Sequence, residues 1–402
     1  MSEVAGVPPC SAPPLVRHAS IDWLRGVVMM LMALDHVRYF FTDVRFAPEN
    51  IERTSLALFL TRWVTHFCAP VFFFLAGTSS YLSLRRRAMS ARGLLAWRGA
   101  LLMVLELTIV GFAWQFTPGY SFAGVLWALG WSMIFVAALA GVRTGVLAAG
   151  SLVVIVLSDP LIPFTPERFG SFAPMWSLLH VPGPVIIAGH EWYVLYSIVP
   201  WSAVMLLGYS IGPVWSWTAG RRQRCFIWTG TASTLLFLVL RITNSYGNPS
   251  GMGASRAHFV FYHDASHSLI SLLNVAKYPP SLQFLMMTLG PSLVSMALAE
   301  RFLLRRPSGP LMGAVLTFGR VPMFYYLCHL YLIHVIALLL AHVSGQPAAW
   351  LGWRGPDSAP EGYGYGLAAV YAIWGGVVLF LYPACRAYER VKRRDLVWTR
   401  FV

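Results

Sequence analysis

Charge is scarce in this chain: 11% of its 402 residues are Asp, Glu, Lys or Arg, against about one quarter in soluble globular domains, which excludes a solvated globular fold for most of the length. Lysine occurs only at positions 277 and 392, so the net charge of +14 rests on arginine. Those arginines gather in particular loops rather than along one face, which argues against a nucleic-acid surface. Cysteine is limited to five positions, 10, 68, 225, 328 and 385, with neither metal nor redox spacing. That excludes a disulfide framework and a zinc site, and no metal is expected. There is no internal repeat, which weighs against transporters built from inverted repeats. The N-terminus, MSEVAGVPPCSAPPLVRHAS, lacks the basic, apolar and cleavage regions of a signal peptide, so the first span is expected to stay.

What is present is apolar length. Hydrophobic residues make up 57% of the chain, with a mean hydropathy of +0.61. Apolar runs long enough to cross a ~30 Å hydrocarbon core recur along it. The expected fold is all-α, a polytopic bundle of about ten transmembrane helices near 20–41, 56–83, 93–115, 122–142, 144–160, 192–212, 225–243, 281–303, 318–342 and 364–386, with 310–317 as an eleventh element if it is separate. Residues 1–19 read as a disordered cytoplasmic tail, 20–390 as one transmembrane domain and 391–402 as a basic cytoplasmic tail. Arginine clusters at 85–92, 143, 221–224, 301–306 and 386–394 fall in every second loop. By the positive-inside rule these loops and both termini are cytoplasmic, and 42–55, 159–191, 244–280 and 343–363 face outward.

Ionisable residues inside such spans are expensive and mark function. The first span, SIDWLRGVVMMLMALDHVRYFF, carries Asp22 and Arg25 near its inner end and Asp35 and His36 near its outer end. Arg25 and His36 lie about three turns apart on one face. The second span places Arg62 and His66 one turn apart in its outer half, so His36, Asp35 and His66 are expected to cluster there with Arg62. A structural role for the set, with arginines snorkelling and histidines satisfying carbonyls, is the competing reading.

Arg98 and Glu106 sit within the third span, where an ion-pair network and a ligand contact are equally open. Arg320 in the ninth span could reach a phosphate from the cytoplasmic side, while His329 and His334 lie amid aromatics and His334 is expected to pack. The outward loop before the eighth span adds His258, His263, Asp264, His267, Lys277 and Tyr278. His263 and His267 could hold a metal only with a third ligand, which the spacing does not supply. Tyr278 to Ser281 reads as a rigid lead-in to the eighth span.

A base in the outer half with cations at the inner mouth suits acyl transfer from cytoplasmic acyl-coenzyme A to an outward acceptor. On that reading His36 is the base, Asp35 its partner and His66 an oxyanion donor or second acid/base group. Arg25, Arg98, Arg320, Arg85 and Arg86 would hold the coenzyme, and Arg62, Lys277, Tyr278 and His267 the acceptor. A secondary transporter or permease using Asp35, His36 and His66 as a proton relay is the alternative, and a structural or sensing protein a third.

The stretches SIDWLRG, MALDHVRYFF, LTRWVTHFCAPVFFFLAGTSSYL, LLNVAKYPPSLQFLMMTLGP and FGRVPMFYYLCHLYLIH resemble a bacterial branch of the heparan-alpha-glucosaminide N-acetyltransferase catalytic-domain family, over nearly the whole chain from about residue 17. The first span is also similar to that of membrane acyltransferases that O-acylate surface glycans, where an Arg-Gly precedes an essential His by about three turns, here Arg25-Gly26 and His36. The resemblance implies an acetyl-CoA or other acyl-CoA co-substrate and an amino sugar or glycan acceptor across the bilayer. It also implies a multi-pass protein of a bacterial inner membrane, with a homodimer as an open partner. Animal members carry Asn at the position of His36 and a reactive His in the first outward loop, where 42–55 has none. That difference favours direct transfer with His36 as base over an acetyl-histidine route.

Overall fold

The computed structural model describes residues 18–85, 90–117, 122–187, 189–249, 258–305, 309–352 and 359–394. Arg86, residues 1–17 of the expected first tail and 395–402 of the expected last one lie outside the described residues. Among the described residues the regular structure is helical apart from one small sheet. Its helices are α1 (Ala19–Phe41), α2 (Leu56–Thr65), α3 (Cys68–Leu84), α4 (Ser90–Leu105), α5 (Gly111–Gln115), α6 (Val125–Leu139), α7 (Thr144–Leu161) and α8 (Ala173–Leu179). They continue as α9 (Ile198–Ser210), α10 (Ala219–Thr243), α11 (Ala265–Leu273), α12 (Leu282–Arg305), α13 (Pro310–Arg320), α14 (Pro322–Val343) and α15 (Leu367–Lys392).

Among the described residues, eight helical stretches are long and apolar enough to cross a membrane. The protein is thus an integral membrane, multi-pass protein. Two other expected spans exist as helices but miss that standard for opposite reasons: α1 carries Asp22, Arg25, Asp35 and Arg38, and α6 has only 15 residues. Exposed apolar side chains on α7, α10 and α15, such as Leu157, Trp228 and Phe380, form the kind of surface that lipid covers.

The helical fold is as expected, and it carries one small sheet besides. Strand β1 (Phe122–Ala123) runs parallel to β3 (His190–Val194), which pairs antiparallel with β2 (Gly183–Ile187). The residues HEWYV suit a half-buried strand, so the span expected at 192–212 begins as a helix only at Ile198. At the other end, 310–320 is a separate helix, because Pro322 pushes Val321 out of helical conformation.

Helix α1 is central, packing against α2, α3, α12, α13, α14 and α15. Glycine permits its closest approach. A Cβ on Gly26 would collide with the Val315 carbonyl oxygen and one on Gly319 with that of Asp22, so α1 and α13 touch backbone to backbone. The second traversal is broken: α2 stops at Thr65, His66 is its C-cap, and α3 restarts at Cys68 with Pro70 in its first turn. This break lies where α1 carries its outer charges.

Candidate functional site

A cavity of about 350 Å³ lies between α1, the α2–α3 traversal and the residues 195–196 and 277–278 that lead into α9 and α12. From α1 it is lined by Met32, Asp35, His36, Arg38 and Tyr39, from the α2–α3 traversal by Arg62, Thr65, Cys68, Ala69 and Phe72, and from the following loops by Tyr196, Lys277 and Tyr278. Glu106, Trp114 and Tyr326 complete much of the rest. Six of the residues singled out in the sequence, Asp35, His36, Arg62, Glu106, Lys277 and Tyr278, are therefore neighbours around one space.

The partner of His36 is His329, not His66. Nδ1 of His36 lies 2.7 Å from Nε2 of His329, with the rings stacked at 4.9 Å, and Nδ1 of His329 lies 2.8 Å from the Tyr325 carbonyl oxygen. A carbonyl only accepts, so His329 Nδ1 carries a proton. With His329 neutral, its Nε2 is an acceptor and His36 Nδ1 must donate to it. The lone pair of His36 is then on Nε2, which has no hydrogen-bond partner among the described residues. Trp114 meets the His36 ring edge-on at 5.0 Å and limits its rotation. His329 is fully buried.

Asp35 serves the cations. One carboxylate oxygen accepts from Arg38 Nη2 at 3.0 Å and the other from Arg62 Nη1 at 2.6 Å. Arg62 continues the chain through Nε to Glu49, 2.9 Å away, and His66 Nε2 is 3.7 Å from the same Glu49 oxygen, an ion-pair separation too long for a hydrogen bond. Burial alone would raise the Glu49 carboxyl, but the Arg62 guanidinium reverses this and holds it well below the ordinary carboxylate range. His66 thus lies on the far side of Arg62, packed edge-on against Phe284 and away from the cavity lining.

Glu106 reaches the cavity because the helix carrying it widens into one π turn, Glu106–Val110, between α4 and α5. Its carboxylate accepts the Leu126 N–H at 2.8 Å, capping the start of α6, and Gly124 is required there because a Cβ would strike that carboxylate. Arg98 is half-buried on α4 and does not line the cavity. His267 is exposed on α11, where its N–H and ring Nδ1 both engage Asp264, the helix N-cap. The lead-in to α12 is as expected, with Ser281 Oγ accepting the Phe284 N–H at 3.1 Å.

At the opposite, arginine-rich end Arg25 donates to Asp22 at 3.3 Å, the Gly319 carbonyl at 3.2 Å and Ser79 Oγ at 2.9 Å. Arg320 pairs with Glu389 at 2.8 Å and approaches Asp22 at 3.7 Å. Both are committed to holding α1, α13 and α15 together, so a phosphate would compete with that pairing. Arg85 is exposed at the end of α3. Arg386 and Arg390 flank a shallow depression of about 240 Å³ on α15 and are further cations at this end.

Sequence reasoning passed over His329 and Glu49. The signal for His329 was an ionisable ring in the middle of PMFYYLCHLYLIH, one turn from a tyrosine pair. Glu49 had none, since acids in a connecting loop are ordinary and Asp43 and Glu52 share its loop.

The sequence profile for the catalytic region of heparan-alpha-glucosaminide N-acetyltransferase matches residues 17–243, more than half of the chain, and the chain belongs to that family. No curated protein matches it.

Proposed function

Starting from that membership, we propose that the protein transfers an acetyl or other acyl group from acyl-coenzyme A to an amine or hydroxyl of a sugar or glycan, with His36 as general base. The donor is taken from the cytoplasm, at the arginine-rich end, and the acceptor enters the cavity from the other side of a bacterial inner membrane. Both chain termini are cytoplasmic on this reading, and the charge pattern of the loops supports it.

One observation carries the proposal: the Tyr325 carbonyl, His329 and His36 form a hydrogen-bonded series that leaves the His36 Nε2 lone pair beside a cavity. The acceptor N–H or O–H gives its proton to Nε2 as its nitrogen or oxygen attacks the thioester carbonyl. The tetrahedral intermediate collapses, the C–S bond breaks, and the imidazolium returns the proton to the departing thiolate. No acyl-enzyme is needed. Among the cavity-lining groups, Lys277, Arg38 and Arg62 supply positive potential where the oxyanion forms. His329 is a positioning residue that fixes the tautomer, as the orienting third member of a catalytic triad does.

Turnover of radiolabelled acetyl-coenzyme A by the purified protein, with a panel of amino sugars, tests the reading. Labelled acetyl-sugar from the wild-type protein, absent from folded His36→Ala protein, is the expected result. Lack of both binding and turnover in a folded preparation would instead favour a transport role for the same charged groups.

A further inference from the structure

We propose that the cavity is built for an acceptor bearing an anionic group, a phosphate or a carboxylate, held by Lys277 with Arg38 beside it; the inference rests on the acyl-transfer reading.

The three cations lining the cavity are not equally matched. Arg38 is held by Asp35 and Arg62 by Asp35 and Glu49, whereas Lys277 has no such partner among the described residues. Both oxygens of Asp35 are taken, one by Arg38 and one by Arg62. Glu106 is turned to the backbone at the start of α6. Lys277 is only 7% exposed, yet no carboxylate among the described residues lies within 4 Å of its ammonium, which sits over the Tyr278 ring, 5.1 Å from its centre. Arg38, whose Nη2 holds Asp35, also lines the cavity.

An ammonium withdrawn from water without a counter-charge costs several kcal/mol, and the ordinary remedies are a paired carboxylate or solvent exposure. Neither is provided here. The position is also fixed. The Ala276 N–H donates to Asn248 at 2.8 Å and the Ser281 N–H to the Ala276 carbonyl at 3.0 Å, so the backbone on both sides of Lys277 is tied down. A rigid, buried cation aimed at a space calls for a ligand that brings the missing charge. A phosphate or carboxylate also fits the adjoining Arg38 donor, through charge-assisted hydrogen bonds.

The same ammonium bears on the reacting group. A protonated amine would be repelled by Lys277, so an amino acceptor is favoured in its neutral, nucleophilic form. The anionic substituent supplies the attraction that the amine does not.

Binding of glucose, glucose 6-phosphate and glucuronate to the purified protein in detergent, measured calorimetrically without acyl-coenzyme A, tests this. At least one anionic sugar should bind tenfold or more tightly than glucose, with the difference lost in Lys277→Gln and kept in Lys277→Arg, both checked for folding by thermal melting. The phosphate and carboxylate arms identify the source of the charge. Equal binding of all three sugars, or a preference that survives Lys277→Gln, would overturn the proposal. So would displacement of the anionic sugar by coenzyme A together with weaker coenzyme A binding in Lys277→Gln, which would give the cation to the donor. Because no donor is present, anion binding without acetyl transfer would remove only the acyl-transfer reading, whereas transfer to glucosamine with no anion preference would remove only this one.

Discussion

Nδ1 of His36 and Nε2 of His329 lie 2.7 Å apart although the residues are 293 positions apart in the chain, and each ring fixes what the other does with its proton. Replacing His36 with Ala should lower kcat by about 10²- to 10⁴-fold, the usual contribution of a positioned base. Steady-state acetyl transfer alongside a thermal melt would check it. A folded variant of unchanged kcat would remove His36 from the mechanism.

His329→Phe keeps a ring in the core but offers His36 no acceptor. The expected outcome is a fall in kcat of at least tenfold with KM for acyl-coenzyme A unchanged, since His329 does not line the cavity. His329→Gln, whose amide oxygen can accept from His36 Nδ1, should recover part of the loss. A packing role alone would not distinguish the two variants in this way.

Glu49→Gln tests the outer ion chain. The Glu49 carboxyl is held below its ordinary value of 4.5, so its stabilising contribution is complete above that pH and is lost as pH falls through the lowered folded value. At pH 7 the variant should be less stable by about 1.5–3 kcal/mol, the scale of a hydrogen bond to a charged group. The gap should begin to narrow only below about pH 4.5. Denaturation followed at both pH values would show it, and a gap that widened on acidification would contradict the ion pair.

Gly26→Ala forces the α1 and α13 backbones apart and should destabilise the protein by about 1–3 kcal/mol, the range for overpacking. Gly93→Ala in α4, where an added Cβ meets nothing within 4 Å, should be neutral or slightly stabilising. Comparing the two melting temperatures separates a collision from a general effect of removing a helical glycine.

Much of this was legible in the sequence because membrane helices announce themselves by composition. The traversal from Leu56 to Leu84, the helix 282–305 and the gathering of Asp35, His36, Arg62 and Lys277 all follow from apolar length and misplaced charge. What failed to show was pairing across long separations. His66 looked like the companion of His36 because their helices are consecutive, but the helix break at His66 turns it toward Glu49. His329 comes from α14, and nothing local in either segment encodes the 2.7 Å contact. The sheet was missed for a similar reason: β1 has two residues, too few to carry a period, and its partner lies about seventy positions on.

The placement of α1 at the centre bears on how the protein is made. The helix carries Asp22, Arg25, Asp35 and Arg38, and the groups on other helices that engage these charges follow it in the chain: Arg62 on α2, Arg320 on α13, then Glu389 on α15, which binds Arg320. Lipid would receive the helix poorly while those charges lack their full set of partners. Its final seat therefore forms only once α13 and α15 have been made, and until then α1 needs the shelter of the insertion machinery or the aqueous interface.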